Sequence, residues 1–288
     1  APGAKGTFTV ALTRTDAPLD AYSFGALEWR DGTHVVRSPL TARPTAFTTT
    51  ALLRSEQVTG NSAFTIGTGF TGKLGANKGG LKAATLNEQT VATTPAADGG
   101  VLECKNGGSA GVTATSFTIP ANTMVARFSL RDIDTSGFKA GKSDDLDLIM
   151  FNSAGVQVGY SGTATSNEVI TLMAPAAGTY RVCVAGYAPN GGSATYTLAS
   201  WMVVKDEIGG NLKVTLPSSV FTGGTASVVA SWSGLTAGQR YMGAVQYLNG
   251  TTPLSTQLLE VDATNPVPTA GAATKRAEET ARVTAQAN

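Results

Sequence analysis

Apolar and polar side chains alternate along most of this chain, and the alternation has period two. Thr7-Phe8-Thr9-Val10-Ala11-Leu12 is the first such run. Phe24-Gly25-Ala26-Leu27-Glu28-Trp29 and Thr33-His34-Val35-Val36-Arg37 flank Arg30-Asp31-Gly32, and an Asp-Gly pair between alternating runs predicts a hairpin over 24–40. Residues 45–100 are less regular: Ala63-Phe64-Thr65-Ile66 and a stretch near 89–93 read as strands, and 67–80 reads as turns. Seven strands are predicted next, at 113–119, 124–131, 146–152, 156–160, 168–173, 179–186 and 194–204. Four more follow near 212–216, 225–232, 240–248 and 254–261. Short strands at regular spacing with turn residues between them predict β-sandwiches or jelly rolls. No long 3.6-residue period with caps occurs before residue 274; the segment 275–286 fits a short helix or disorder equally. The expected fold class is therefore all-β, as tandem β-sandwich or jelly-roll modules with very little helix. The expected divisions are 1–44, 45–205 and 206–265, with a polar tail at 266–288.

Composition agrees. The chain has 288 residues, of which 34 are glycine and only 14% are charged, against a usual ~25%. That length spans about two domains and buries a core without a dense disulfide framework. The net charge of +1 is scattered, with no basic cluster to track a phosphate backbone, so nucleic-acid binding is not expected. No apolar run approaches the ~18 residues of a membrane span, and no signal-peptide pattern is present. The first residues, Ala1-Pro2-Gly3-Ala4-Lys5-Gly6, read as the approach to a strand.

Two cysteines, Cys104 and Cys183, both lie in strand-like contexts, Val101–Cys104 and Tyr180–Val184. Two buried thiols in a cytosolic protein would fit these positions, but the exported character of the remainder favours a disulfide. Closing a loop of about 80 residues would contribute on the order of 4 kcal/mol in the chain-entropy picture.

The single histidine, His34, sits just past the hairpin turn and reads as structural. A Ser-His-Asp triad would need a serine on a strained turn beside it, and no Gly-x-Ser-x-Gly elbow occurs. Asp132, Asp134, Asp144, Asp145 and Asp147 form the one acidic concentration. As a glycosidase pair they would need two carboxyls in a dry cleft, which the surrounding Gly, Ser and Lys argue against. Hard oxygen ligands at loop–strand junctions suit calcium, and these five are the candidate ligands. The alternative is a solvated acidic turn balanced by Arg131, Lys139 and Lys142. Trp29, Trp201 and Trp232 lie in strands and are expected in cores. Asn249-Gly250-Thr251 is a glycosylation triplet whose turn chemistry already accounts for it.

The stretch Tyr22–Leu40 carries Gly25-x-Leu27-x-Trp29-x-Asp31-Gly32-x-His34-x-Val36-Arg37-Ser38-Pro39. It resembles the end of the fibronectin-III-like domain that follows the catalytic domain in many subtilisin-like peptidases. Residues 124–204 resemble a bacterial pre-peptidase C-terminal domain, through Asp144-Asp145-Leu146-Asp147-Leu148, Val158-Gly159-Tyr160-Ser161-Gly162, Ser166-Asn167-Glu168, Ala177-Gly178-Thr179-Tyr180-Arg181-Val182 and Tyr196-Thr197-Leu198-Ala199-Ser200-Trp201. Some relatives bind calcium through the acidic strand. Ser231-Trp232-Ser233-Gly234-Leu235 through Tyr241-Met242-Gly243 resembles the final sandwich module of the same secreted peptidases.

The resemblance implies a non-catalytic, secreted C-terminal region of a subtilisin-like serine endopeptidase. That region would stabilise the catalytic domain or hold protein substrate. The His-Gly-Thr and Gly-Thr-Ser-Met-Ala motifs of the catalytic domain are absent. The implied partner is a catalytic subtilisin-like domain or chain. Because the fibronectin-like unit starts in mid-domain, that partner is also expected to complete the sandwich of residues 1–44. A free-standing adhesin or carbohydrate- or collagen-binding module is the rival reading, and an exposed aromatic row on one sheet face would favour it.

Overall fold

The computed structural model describes residues 3–266; the segment 275–286 lies outside them. Among the described residues, nineteen strands, two α-helices of five and four residues and two 3₁₀ turns make an all-β fold, as the alternation predicts. The strands form one isolated hairpin and two sandwiches.

The hairpin joins β1 (Ser23–Arg30) to β2 (Val35–Ala42), antiparallel, with Arg30 opposite Val35. Asp31 shapes the turn: its Oδ1 accepts from the backbone N–H of Thr33 at 2.9 Å and of His34 at 2.6 Å. Gly32 takes φ 92°, which an L side chain rarely adopts. The predicted strand at 7–12 pairs with nothing. Trp29, expected in a core, is 43% exposed.

After the hairpin come β3 (Phe47–Thr48), β4 (Leu52–Ser55), β5 (Gly60–Thr68) and β6 (Gly72–Ala83). The chain then builds β7 (Thr85–Ala92), helix α1 (Val101–Lys105), β8 (Val112–Ile119), β9 (Thr123–Ser129), helix α2 (Ser136–Lys139), β10 (Asp145–Phe151), β11 (Gln157–Ser161), β12 (Val169–Met173), β13 (Gly178–Ala188) and β14 (Ser193–Val204). It closes with β15 (Lys213–Thr215), β16 (Ser219–Val220), β17 (Gly224–Trp232), β18 (Arg240–Asn249) and β19 (Thr252–Asp262).

Strands β7–β14 form one sandwich from the sheets β11-β10-β13-β8 and β12-β9-β14-β7. Its core is set by the period of each strand. On β10, Leu146, Leu148 and Met150 point between the sheets toward Phe128, Val182 and Tyr196. Ile149 and Phe151 point to the opposite face, where Cys104 and Cys183 also lie fully buried. These cysteines form a disulfide across 79 positions. Cys104 sits on α1 instead of the expected strand. Asp98 starts that helix, its carboxylate accepting from Gly100 N–H at 3.1 Å and Leu102 N–H at 2.9 Å. Arg181 Nη1 grips the other end through the carbonyls of Cys104 and Lys105.

The second sandwich departs from the expected divisions. Its sheets are β15-β17-β5-β3 and β16-β6-β18-β19-β4, so residues 47–83 pair with 213–262 and not with the segment that follows them. Ile66 and Leu74 from the first stretch share a core with Val228, Val245 and Tyr247 from the second. One sandwich is thus inserted between β6 and β15 of the other. The stretch 67–80 is mostly strand β6, not turn.

A third cluster closes the seam between the sandwiches. Val125, Trp201 and Val203 on the outer face of β9 and β14 pack against Met242, Ala244 and Leu258 of β18 and β19. Arg240–Asp134 and Arg131–Asp262, each at 2.6 Å, and Arg127–Glu260 at 3.6 Å cross the same seam. Gly79 permits the approach of the two bodies, since a Cβ there would lie 2.3 Å from the Val204 carbonyl oxygen.

Two outcomes are expected. Replacing Cys104 and Cys183 together by alanine lowers the unfolding free energy by about 2–5 kcal/mol in urea titrations. Gly79→Val forces the seam apart and lowers stability by about 1–3 kcal/mol in thermal melts, whereas Gly6→Ala, where a Cβ meets nothing within 4 Å, stays within about 1 kcal/mol.

Candidate functional site

The five aspartates singled out in the sequence do not converge on one point. Asp132, expected at a strand end, opens a short 3₁₀ turn; its Oδ1 accepts from Ser166 N–H at 2.7 Å, and its Oδ2 from the Asn167 amide. Asp134 turns toward the seam and pairs with Arg240. Asp144 is 1% exposed and holds two loops together, accepting from Gly137 N–H at 2.6 Å and Asn190 N–H at 2.8 Å. Each of these three carboxylates already has structural donors, and the charge of Asp134 is also met by an arginine.

Asp145 and Asp147 differ. They lie two apart on β10, hence on one face, and that is the sheet's outer face. Tyr160 of β11 and Tyr187 of β13 stand on the same face, and both are exposed. Together with Gly162, Thr163 and Ala164 they line a crevice of about 370 Å³. Tyr160 Oη donates to Asp147 Oδ2 at 3.0 Å. Gly162 is needed beneath it, because a Cβ there would lie 2.6 Å from Tyr160 Oη. Glu168, 1% exposed, lies alongside, held by the Thr163 N–H at 2.7 Å, the Thr163 hydroxyl at 2.6 Å and the Ser161 hydroxyl.

Burial and crowding shape the electrostatics. Burial first, then the charges of Asp145 and Glu168, push the Asp147 carboxyl up to about 6 against the hydrogen bond from Tyr160. Asp145 is raised by burial and by Glu168 and Asp132, and its Oδ1 is enclosed without a hydrogen-bond partner. Burial and the neighbouring carboxylate push Tyr160 up to about 12. The crevice is an acidic surface that attracts positive charge. Among the described residues, no three His, Cys, Asp or Glu side chains are arranged to hold a metal ion. Glu168 and Tyr160 were visible in the sequence only as parts of longer resembling stretches. Nothing in their local pattern announces that they face Asp147.

Catalytic geometry of the triad kind is not formed around His34. Its ring Nδ1 meets Asp31 Oδ2 at 2.9 Å on an exposed turn. Trp201 and Trp232 are each 3% exposed and so are core residues, as expected. No helix among the described residues is long and apolar enough to cross a membrane.

The fibronectin type-III domain family matches residues 1–42, the stretch that holds β1 and β2. No curated protein matches the chain. Among solved structures, it is similar to the pre-peptidase C-terminal domain of collagenase from Bacillus anthracis, at 12% identity over 41% of this chain and 89% of that one, with a TM-score of 0.28. It is also similar to tripeptidyl peptidase 2, at 5% identity over 90% of this chain and 27% of that one, with a TM-score of 0.29.

The raised Asp147 carboxyl makes a signed prediction. A folded-state value of about 6 above an unfolded 3.8 means that its contribution is fully present below pH 3.8 and is lost as pH rises through 6. Between pH 4 and pH 8 stability should fall by about 1–2 kcal/mol through this group, less than the full shift because the crevice opens to solvent. Asp147→Asn should flatten that part of the stability-against-pH curve, as measured by chemical denaturation at several pH values.

Proposed function

We propose that this chain is the non-catalytic C-terminal accessory region of a secreted subtilisin-like serine endopeptidase, where it steadies the catalytic domain or holds protein substrate. The observation that carries the reading is the Tyr22–Leu40 pattern, which falls inside the fibronectin type-III match at 1–42. The lone histidine on an exposed turn and the absence of a nucleophile elbow support a non-catalytic role. A buried disulfide suits an oxidising, extracytoplasmic compartment. The rival reading as an adhesin calls for an exposed aromatic row on one sheet face; Trp201 and Trp232 are spent on cores, and the exposed Tyr160 and Tyr187 form a pair, with Tyr160 bonded to Asp147.

In native mass spectrometry of secreted material, the chain should travel with a polypeptide bearing the subtilisin His-Gly-Thr and Gly-Thr-Ser-Met-Ala motifs, whether joined covalently or not. The purified chain alone should leave casein intact. Recovery of the chain with no peptidase attached or associated would overturn the reading.

A further inference from the structure

We propose that the crevice over β10 and β11 is a binding site for organic cations, and that its ligand is the lysine or arginine side chain of a protein segment. The use of such a site to hold substrate rests on the function proposed above; the site itself does not.

The crevice is built around a buried carboxylate. Asp145, Asp147, Tyr160, Tyr187 and the loop Gly162, Thr163 and Ala164 line its volume of about 370 Å³. Asp147 is only 4% exposed. Its Oδ2 accepts from Tyr160, and among the described residues no donor reaches its other oxygen. No donor reaches Asp145 at all, and its Oδ1 is enclosed. Two glycines let the chain close in here. A Cβ on Gly99 would lie 3.6 Å from Tyr160 Oη and 3.9 Å from Asp147 Oδ2, and a Cβ on Gly162 would lie 2.9 Å from Asp147 Cγ.

Positive charge is what this crevice lacks. No Lys, Arg or His lines it, and the charges acting on Asp145 and Asp147 all come from other carboxylates. The seam shows the contrast: Asp134, Glu260 and Asp262 each meet an arginine there. Like charges gathered where water is partly excluded are stabilised by an incoming cation.

The two tyrosines select the kind of cation. Tyr160 and Tyr187 are 49% and 58% exposed at the crevice. Ring faces attract cations and cover methylene groups. A bare metal ion uses no such surface and needs about six to eight oxygen ligands. Among the described residues, no three acidic side chains are arranged to supply them. A neutral sugar would stack on a ring and leave both carboxylates unmatched. A lysine or arginine side chain lays its stem against the rings and donates from its charged head to Asp147 and Asp145.

The test uses the full chain, labelled with ¹³C in its tyrosine rings and followed by NMR at low salt. Titration with N-acetyl-lysine methylamide should move the Tyr160 and Tyr187 ring signals saturably, with at least tenfold greater affinity than the neutral norleucine analogue. Asp147→Asn and Asp145→Asn should each weaken lysine binding at least fivefold. Tyr187→Ala, on the exposed rim, should do so at least threefold while leaving the melting of both sandwiches unchanged. An absent lysine response would overturn the proposal, as would equal binding of norleucine, or a calcium titration that moves the same signals and excludes lysine. Native mass spectrometry that finds no peptidase would sink the accessory reading and leave the cation site standing. A peptidase partner with no lysine response would do the reverse.

Discussion

The structure depends on the place where the chain leaves one sandwich and returns to it. β6 runs out of the second sandwich at residues 78–84, and the chain comes back through 204–210 directly alongside. Gly80 N–H donates to the Glu207 carbonyl at 3.0 Å, Leu81 N–H to Gly209 at 2.7 Å, and Asp206 N–H to Lys78 at 2.8 Å. Lys82 and Glu207 form an ion pair at 2.8 Å beside them. Glycines line this crossing because main chains touch there: a Cβ on Gly209 would lie 2.2 Å from the Leu81 carbonyl oxygen. The seam cluster of Trp201 with Met242 and Leu258 packs nearby, and the arginine–carboxylate pairs ring it. Removing one member of such a partly buried pair strands the other charge, so the seam couples the two bodies more strongly than an exposed contact of equal size.

Legibility followed side-chain pattern. Strands whose faces differ in polarity were readable: β8 to β14 all fall where period-two alternation predicts them. β6 was not, because Gly72–Ala83 spends four positions on glycine, two of them at the crossing, and glycine carries no facing signal. The division of the chain was hidden for a different reason. A sandwich whose strands come from 47–83 and 213–262 has no compositional boundary, because pairing across an insertion leaves no local trace. Cys104 looked strand-borne because Val101-Leu102 is apolar; the helix signal was the Asp98-Gly99-Gly100 that precedes it.

The acidic site was half legible. The spacing of Asp145 and Asp147 fixes a shared face, and the structure keeps them there. The other three aspartates were grouped with them by nearness in sequence, yet each is claimed by backbone donors or an arginine from a distant segment. Asp134 shows why: its partner Arg240 lies 106 positions away, and charge pairing over that distance cannot be read from one stretch of sequence.

The inserted arrangement gives the molecule an uneven severability. Because β15–β19 follow the inserted sandwich, cutting the chain near residue 205 deprives the outer sandwich of more than half its strands. Because the ends of the insert are hydrogen-bonded neighbours, the whole of 85–204 is by contrast a cassette: it could be lifted out and its ends rejoined by a short bridge without unpairing a single strand of the sandwich that hosts it.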